Sequence, residues 1–250
     1  MFDHLKILWH QGKQFIPNVQ TAQVPGPFKG RPVITTVEVD ERELVELCPM
    51  LAINTNPLSI DLGKCSFCGE CAAQYPQKIS FTKDYHLSTN RREDLIVVAG
   101  VNEPITLDSS LVRKEIKRVF GRSLKLRQVS AGGDGSCELE LNATNNVQFD
   151  ISRFGIDFVA SPRHADGLLV TGPITENMAL ALEKAYDATP EPKILILCGV
   201  DAISGGLYAE SNAINRSFLE KVTVDLYIPG NPPHPLTIIN GLLDLIKSKG

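Results

Sequence analysis

Three cysteines at a fixed spacing constrain this 250-residue chain more than any other feature. They are Cys65, Cys68 and Cys71, in the segment KCSFCGEC. Three thiolates with this C-x2-C-x2-C spacing wrap one face of a cubane iron–sulfur cluster. The small residues between them let backbone N–H groups approach the sulfurs. The spacing therefore predicts that this loop binds an iron–sulfur cluster.

The surroundings of this run predict one cluster rather than two. In the bacterial ferredoxin pattern a fourth cysteine, followed by proline, comes three residues later and binds the other cluster. This chain has Tyr75 there, and the segment VEVDEREL upstream contains no cysteine. In ELCPMLAI, Cys48 precedes a proline and looks like the end of the first ferredoxin half. These observations predict one [4Fe–4S] cluster bound by Cys48, Cys65, Cys68 and Cys71.

A zinc site built from the same four cysteines is the alternative, since zinc also accepts four thiolates. Zinc sites more often use paired C-x2-C knuckles than this run, and the cluster is therefore favoured. A disulfide framework is disfavoured further, because six cysteines in a reducing compartment indicate metal ligands or free thiols.

Composition excludes several classes of function. A hydrophobic fraction of 43% with 22% charged residues is typical of a soluble globular protein. The formal charge of −4, without any Lys/Arg run, gives no attraction to nucleic acid. No apolar run approaches the roughly 20 residues that span a bilayer, and a signal peptide is not evident. We therefore expect a cytoplasmic protein.

The first sixteen residues, MFDHLKILWHQGKQFI, have an amphipathic helical pattern. One interpretation is a helix docked on another part of the protein or on a subunit. The other is a helix lying in the membrane surface, with Trp9 at the interface and lysines near the headgroups. Residues 17–34 are rich in proline and glycine, which predicts an extended connector.

A different pattern begins near residue 109. The segment SSLVRKEIKRVFGR is predicted to be a helix capped by Ser109 or Ser110. Short apolar runs then alternate with helical stretches; the runs are DFVASP, GLLVTGP, KILILCG and DLYIPG. This alternation predicts a parallel sheet covered on both faces. Sites usually form in loops at the carboxyl ends of such strands. The informative loops are AGGDGSCE, SPRHAD, GVDAISGG and PGNPPHP.

Together these loops resemble the small subunit of energy-converting [NiFe] hydrogenases, including the formate hydrogenlyase type, and the homologous 20 kDa subunit of complex I. The N-terminal part, with its FKGRP segment, is similar to the ferredoxin-type (complex I 23 kDa-like) subunit of the same complexes. The resemblance implies two subunits fused into one chain. It implies an α/β protein in which a ferredoxin-like α+β domain with one cluster precedes a flavodoxin-like parallel-sheet α/β domain. The expected segments are a helix and connector (1–34), the ferredoxin-like domain (35–84), a linker (85–107) and the small-subunit-like domain (108–250).

The resemblance also implies that a second, proximal cluster site has degenerated. The family's four cluster cysteines fall on Asp134, Cys137, Asp201 and Asn231, so three of the four ligands are replaced. One thiolate with two carboxylates and an amide suits a harder divalent metal better than a cubane. The other interpretation, which we favour, is an empty, hydrogen-bonded pocket. Cys198 is interpreted as a buried apolar residue and not as a substitute ligand.

Three more positions match the family. The resemblance links Glu138 to proton movement near the metal centre and places Arg163 and His164 as a basic pair beside the proximal cluster. Without that cluster, salt bridges inside a subunit interface are the alternative role for the pair. The implied partners are a hydrogenase large-subunit-like (complex I 49 kDa-like) protein and other subunits of a membrane-bound complex, on the inner face of the cytoplasmic membrane.

Two functions therefore stay open. The first is a non-catalytic electron-transfer subunit of such an assembly, carrying one [4Fe–4S] cluster. The second is a structural or redox-sensing scaffold that docks the large-subunit homologue without passing electrons to it. No nucleophile–base constellation, GxGxxG or P-loop is evident, and nucleotide chemistry has no support.

Overall fold

The structure, a computed structural model, describes residues 2–12, 14–121 and 123–247. The residues outside the description are Met1, Lys13, Arg122 and 248–250. The predictions for the segments 1–16 and 108–250 are therefore compared with the structure at the described residues only. The helices are α1 (Phe2–Gln11), α2 (Glu41–Leu47), α3 (Glu70–Gln74), α4 (Lys114–Phe120), α5 (Ser136–Ala143), α6 (Glu176–Ala188), α7 (Val200–Ser204) and α8 (Pro235–Lys247). The strands are β1 (Pro32–Ile34), β2 (Ile53–Asn54), β3 (Ser59–Asp61), β4 (Ile79–Phe81), β5 (Ile96–Val98), β6 (Leu124–Ser130), β7 (Ile156–Phe158), β8 (Gly167–Thr171), β9 (Ile194–Cys198) and β10 (Leu226–Ile228).

The C-terminal half is built on a five-stranded parallel sheet, as the alternating pattern predicts. Its strand order is β10-β9-β8-β6-β7. Counted along the chain from β6, this is the order 2-1-3-4-5 of flavodoxin-like folds. The topological switch point lies between β6 and β8, where such folds place their sites.

Alternate residues of the central strands enter two different cores, because successive side chains of a strand point to opposite faces. Leu169 and Ile196 pack into the core that contains Ile116 of α4 and Leu242 of α8. The opposite face is covered largely by residues 32–98, here called the cysteine module, together with α6 and α7.

The cysteine module contains two small antiparallel sheets. In one, β1 pairs with β4; in the other, the order is β2-β3-β5. Asp40 caps α2, its carboxylate accepting hydrogen bonds from the N–H groups of Arg42 and Glu43. The stretch 85–107, predicted as a linker, contributes β5, which pairs with β3. The ordered module thus extends past residue 84, while its ferredoxin-like fold stays a prediction.

The predicted N-terminal helix forms, as α1, and none of its residues is buried. Trp9 is 90% exposed, and Phe2, Leu5 and Leu8 are exposed too. The helix ends at Gln11 and makes no buried contact itself. Ile16, the last residue of the predicted segment, packs against the core of the protein, and its N–H donates to the Gln148 carbonyl over 2.8 Å. No helix in the described ranges has the length and apolar character needed to cross a membrane.

The segment that leaves β4 carries a group of paired charged side chains. His86 Nδ1 lies 3.0 Å from Asp84 Oδ1, and Arg31 Nε lies 3.8 Å from the other oxygen of Asp84. The hydrogen bond to Asp84 raises the pKa of His86 against the effect of burial, and the charge of Asp244 on α8 raises it further.

This arrangement makes part of the stability pH-dependent. A histidine whose pKa is higher in the folded than in the unfolded state stabilises the folded state fully at pH values below the unfolded pKa of about 6.5. This contribution disappears as the pH rises through the folded pKa. We predict that His86→Asn lowers the free energy of unfolding in urea by less than about 1 kcal/mol at pH 5.5, since both groups reach solvent, and by less still at pH 9. His10→Asn, on exposed α1, is the control. An equal loss at both pH values would contradict the assignment.

Candidate functional site

The four cysteines predicted to bind a cluster line one apolar cavity, together with side chains such as Ile60. Cys48 ends α2, Cys65 follows β3, Cys68 precedes α3 and Cys71 lies within α3. Residues that are up to 23 positions apart in the sequence therefore meet at one place. The packing of α2 and α3 against the two small sheets brings them there.

Backbone amides approach two of the sulfurs, but the donors are not small residues between the cysteines. The N–H of Phe67 donates to Cys65 Sγ, and the N–H of Ala52 donates to Cys48 Sγ, each over 3.3 Å. Phe67 (φ 55°) has the left-handed backbone conformation that bulky residues rarely adopt. Such strain persists where the surroundings enforce it and often marks functional loops.

Burial dominates the acid–base properties of these thiols. It raises the pKa of Cys65 to about 12, with further upward contributions from the charges of Cys71, Cys48 and Cys68. It raises the pKa of Cys71 to about 11, followed by the charges of Cys68 and Cys48. The contributing charges belong to thiols that line the same cavity. A bound cation reverses this balance, because metals bind the thiolate form.

The place of the fourth ferredoxin cysteine is taken by a side-chain contact. The hydroxyl of Tyr75, at the end of α3, donates to the carboxylate of Glu43 on α2. Tyr75 and Val45 also pack against the apolar core of the module. Here a tyrosine–glutamate contact links the two helices at a position where a two-cluster ferredoxin has a ligand.

The loops predicted to form a degenerate cluster site meet at the carboxyl ends of β6, β9 and β10. They carry Asp134, Cys137, Asp201 and Asn231. A Cβ atom added at Gly199 would lie 2.4 Å from Cys137 Sγ and 3.7 Å from the Gly230 carbonyl oxygen. The N–H of Val200 donates to that same carbonyl over 3.0 Å. Only a glycine at 199 leaves room for the Cys137 thiol, and its φ of 92° also favours glycine.

Four of the residues singled out from the sequence form one electrostatic group. Burial raises the pKa of Cys137 to about 12, and the charges of Glu138, Asp201 and Asp134 raise it further. Burial likewise raises the pKa of Asp201, with Asp134 and Glu138 contributing next. Asn231 is exposed and directly follows Gly230 in the loop after β10.

Hydrogen bonds from the protein itself occupy two of these carboxylates. Asp134 Oδ1 accepts from the N–H (2.9 Å) and hydroxyl (2.6 Å) of Ser136. Glu138 Oε1 accepts from the hydroxyl of Thr171 over 2.6 Å, across the switch point between β6 and β8. Within the described residues, no group of three or more His, Cys, Asp or Glu side chains is arranged to hold a metal ion. Two of the three carboxylates of this group are thus engaged by hydrogen bonds within the chain.

The predicted basic pair lies on the surface of the protein. Arg163 and His164 are exposed in the 3-10 turn Pro162–His164, between β7 and β8. Neither is among the charges that affect the pKa of Cys137. In the described part of the chain neither forms an ion pair, so both are available to a partner.

Sequence reasoning missed Arg216, a single arginine without a surrounding motif. Its guanidinium donates to the carbonyls of Asp201 (3.2 Å), Ala202 (2.8 Å) and Ile203 (3.0 Å), and to that of Pro173 (3.2 Å). It therefore holds α7, and with it Asp201, against the loop after β8.

We predict that Arg216→Met lowers the free energy of unfolding by roughly 2–3 kcal/mol, because it leaves part-buried carbonyls unpaired. Arg163→Met, a matched change at an exposed arginine, should stay within about 0.5 kcal/mol of the wild type. Urea unfolding of both variants measures the difference. Similar small losses in both would show that the Arg216 contacts contribute nothing.

Comparison with known proteins identifies the C-terminal part. The model of the family "NADH ubiquinone oxidoreductase, 20 Kd subunit" matches residues 135–245. The chain is 37% identical to formate hydrogenlyase subunit 7 of Escherichia coli over 155 residues, which are 60% of this chain and 61% of that protein. It is 36% identical to a probable membrane-bound hydrogenase subunit of Pyrococcus furiosus over 129 residues, 52% of this chain and 77% of that protein.

A third relative is covered almost completely. An NADH-quinone oxidoreductase subunit of Heliobacterium modesticaldum is 39% identical over 160 residues, which are 64% of this chain and 91% of that protein. These relatives are named as subunits of hydrogenase, formate hydrogenlyase and NADH-quinone oxidoreductase complexes. The resemblance seen in the C-terminal loops is thereby confirmed, and the chain belongs to the family of the NADH ubiquinone oxidoreductase 20 kDa subunit.

Proposed function

We propose that this protein is a non-catalytic electron-transfer subunit of a membrane-associated, hydrogenase-like or complex I-like assembly. It carries one [4Fe–4S] cluster on Cys48, Cys65, Cys68 and Cys71, and none at the degenerate proximal site. The observation that carries this proposal is the convergence of the four cysteines on one apolar cavity. The relatives, which are subunits of multisubunit oxidoreductases, support the assembly.

The donor set suits a cubane better than zinc. Zinc needs all four sulfurs about 2.3 Å from one ion. Zinc sites also use paired C-x2-C knuckles more often than the C-x2-C-x2-C run of this chain. A cubane instead takes one sulfur on each of four irons, and its ligands surround a cavity rather than a point. Amide donors to Cys48 and Cys65 suit cluster sulfurs, whose hydrogen bonds tune the potential.

When bound, the cluster supplies one-electron transfer. The protein's own residues hold it, shield it and leave one edge open. Cys65 is buried beside Ile60 and Phe81, whereas Cys68 is exposed. A redox partner that docks over Cys68 therefore approaches closely without a second cluster in this chain. Electrons can then pass directly between the cysteine-bound cluster and a large-subunit-like partner, although the intermediate proximal cluster is missing.

The scaffold alternative has its own support. Asp134 and Glu138 are engaged by hydrogen bonds inside the chain, and the frame of the lost cluster site is preserved without its ligands. In that case the domain docks a large-subunit homologue, and the cysteine-bound cluster is structural or senses redox state. Reduction of the cluster by the assembled complex on addition of its electron donor separates the two functions.

Cluster content is the first test. We predict about four irons and four sulfides per chain, with an EPR signal after reduction, in anaerobically purified protein. Cys65→Ser should lose most of this iron, and the matched Cys198→Ser, in the buried strand β9, should keep it. About eight irons would place a second cluster around Cys137, and stoichiometric zinc would exclude the proposed one.

Membrane association is the second part of the proposal. The exposed apolar residues of α1 have no partner in the described chain, and its polar side carries Lys6, His4 and His10, with Asp3 as the only acid. Such a helix suits the surface of an anionic bilayer. Peripheral attachment on the inner face of the cytoplasmic membrane agrees with relatives that are named as membrane-bound.

Trp9 is the only tryptophan of the chain and reports on this directly. We predict a blue shift of its emission on vesicles that contain phosphatidylglycerol, and little shift on phosphatidylcholine alone. Leu5→Glu should weaken binding about tenfold, because it places a charge on the apolar arc. Gln11→Glu adds the same charge to the polar arc and should weaken it much less. Equal losses, or no shift on any vesicle, would assign α1 to a protein interface.

A further inference from the structure

A lysine far from the cysteines in sequence reaches the cluster-binding loop. A Cβ atom added at Gly69 would lie 2.3 Å from Cε and 3.3 Å from Nζ of Lys29. Gly69 lies between Cys68 and Cys71 and caps the start of α3. The Lys29 side chain therefore extends over the backbone that joins two of the four cysteines.

The position of Lys29 is built by the fold. The Lys83 ammonium donates to the carbonyls of Gly26 and Phe28, fixing the connector just before Lys29. After it, the N–H of Gly30 donates to the carbonyl of Thr82 over 2.8 Å. Lys29 also lines a cavity together with Ser66 and Phe67 of the cysteine loop.

Glu140 lines the same cavity as Lys29, but no ion pair joins the two side chains in the described residues. Lys29 forms no ion pair and no hydrogen bond through its ammonium group there. The nearest opposite charge on the loop belongs to Glu70, which lines the cysteine cavity and accepts a hydrogen bond from the Gln74 amide over 3.2 Å. The loop thus has one cation above Gly69 and one anion directly after it.

We propose that the ammonium group of Lys29 raises the reduction potential of the cluster held by the four cysteines. The inference rests on the proposed function. Reduction adds one negative charge to the cluster, and a nearby cation stabilises the reduced form more than the oxidised form. Because Lys29 is exposed, salt screens part of the effect.

The test is an EPR-monitored redox titration of the intact protein and of variants with equal iron content. Lys29→Gln should lower the equilibrium constant for one-electron reduction about threefold to tenfold. At 59 mV per tenfold, this corresponds to a reduction potential about 30–60 mV lower. Lys29→Arg keeps the positive charge and should therefore have the wild-type potential. Glu70→Gln should shift it in the opposite direction, and Lys184→Gln, on the exposed face of α6, should leave it unchanged.

The shift caused by Lys29→Gln should also shrink at 1 M salt, where the Debye length falls to about 3 Å. An unchanged potential in Lys29→Gln would overturn the proposal, and so would shifts of the same sign in the Lys29 and Glu70 variants. Loss of iron from Lys29→Gln alone would show a structural role instead. Absence of iron from the wild type would refute the proposed function itself, so the two failures are distinguishable.

Discussion

Apolar packing of the cysteine module against one face of the parallel sheet fixes the geometry of the whole molecule. Cys65 shares a core with Leu168 and Leu197, which lie at the centre of the sheet. The approach is close: a Cβ atom at Gly63 would lie 2.8 Å from Ile203 Cγ2 on α7. The cysteine loop is therefore held at a defined position relative to the loops that end β9 and β10. Ser66 and Phe67 line one cavity with Asn231 and His234, residues of the loop after β10.

Hydrogen bonds within the protein hold the loops in which the sequence predicts a degenerate cluster site. A metal centre that binds only the folded chain contributes its binding energy to folding. Here hydrogen bonds occupy the same loops: Ser136 to Asp134, Thr171 to Glu138, and Arg216 to the carbonyl of Asp201. These contacts join the loops to one another and to the sheet. They leave the carboxylates of Asp134, Glu138 and Asp201 beside a buried thiol, with no ion pair among the described residues.

Much of this arrangement could be predicted from the sequence. The parallel sheet follows from the spacing of apolar residues, which is a local property of the sequence. Its loops meet because the carboxyl ends of parallel strands lie at the same edge of a sheet. The cysteine spacing indicated which thiols meet. Long-range contacts could not be predicted. Strand β5 lies in the stretch taken for a linker, and it becomes a strand because β3 offers it an edge. Helix α4 begins at Lys114, not at Ser109 or Ser110, because Asp108 Oδ1 accepts from the N–H and hydroxyl of Ser110 and holds a turn there.

We propose one cubane in a chain whose relatives belong to hydrogenase and complex I assemblies. Native mass spectrometry of the anaerobically purified, full-length protein tests it most directly, because the bound mass counts clusters one molecule at a time. The account predicts a single species that carries four irons and four sulfides, converted to the cluster-free mass in Cys65→Ser. A chain that carries eight irons, or one zinc ion in place of the cluster, would contradict it.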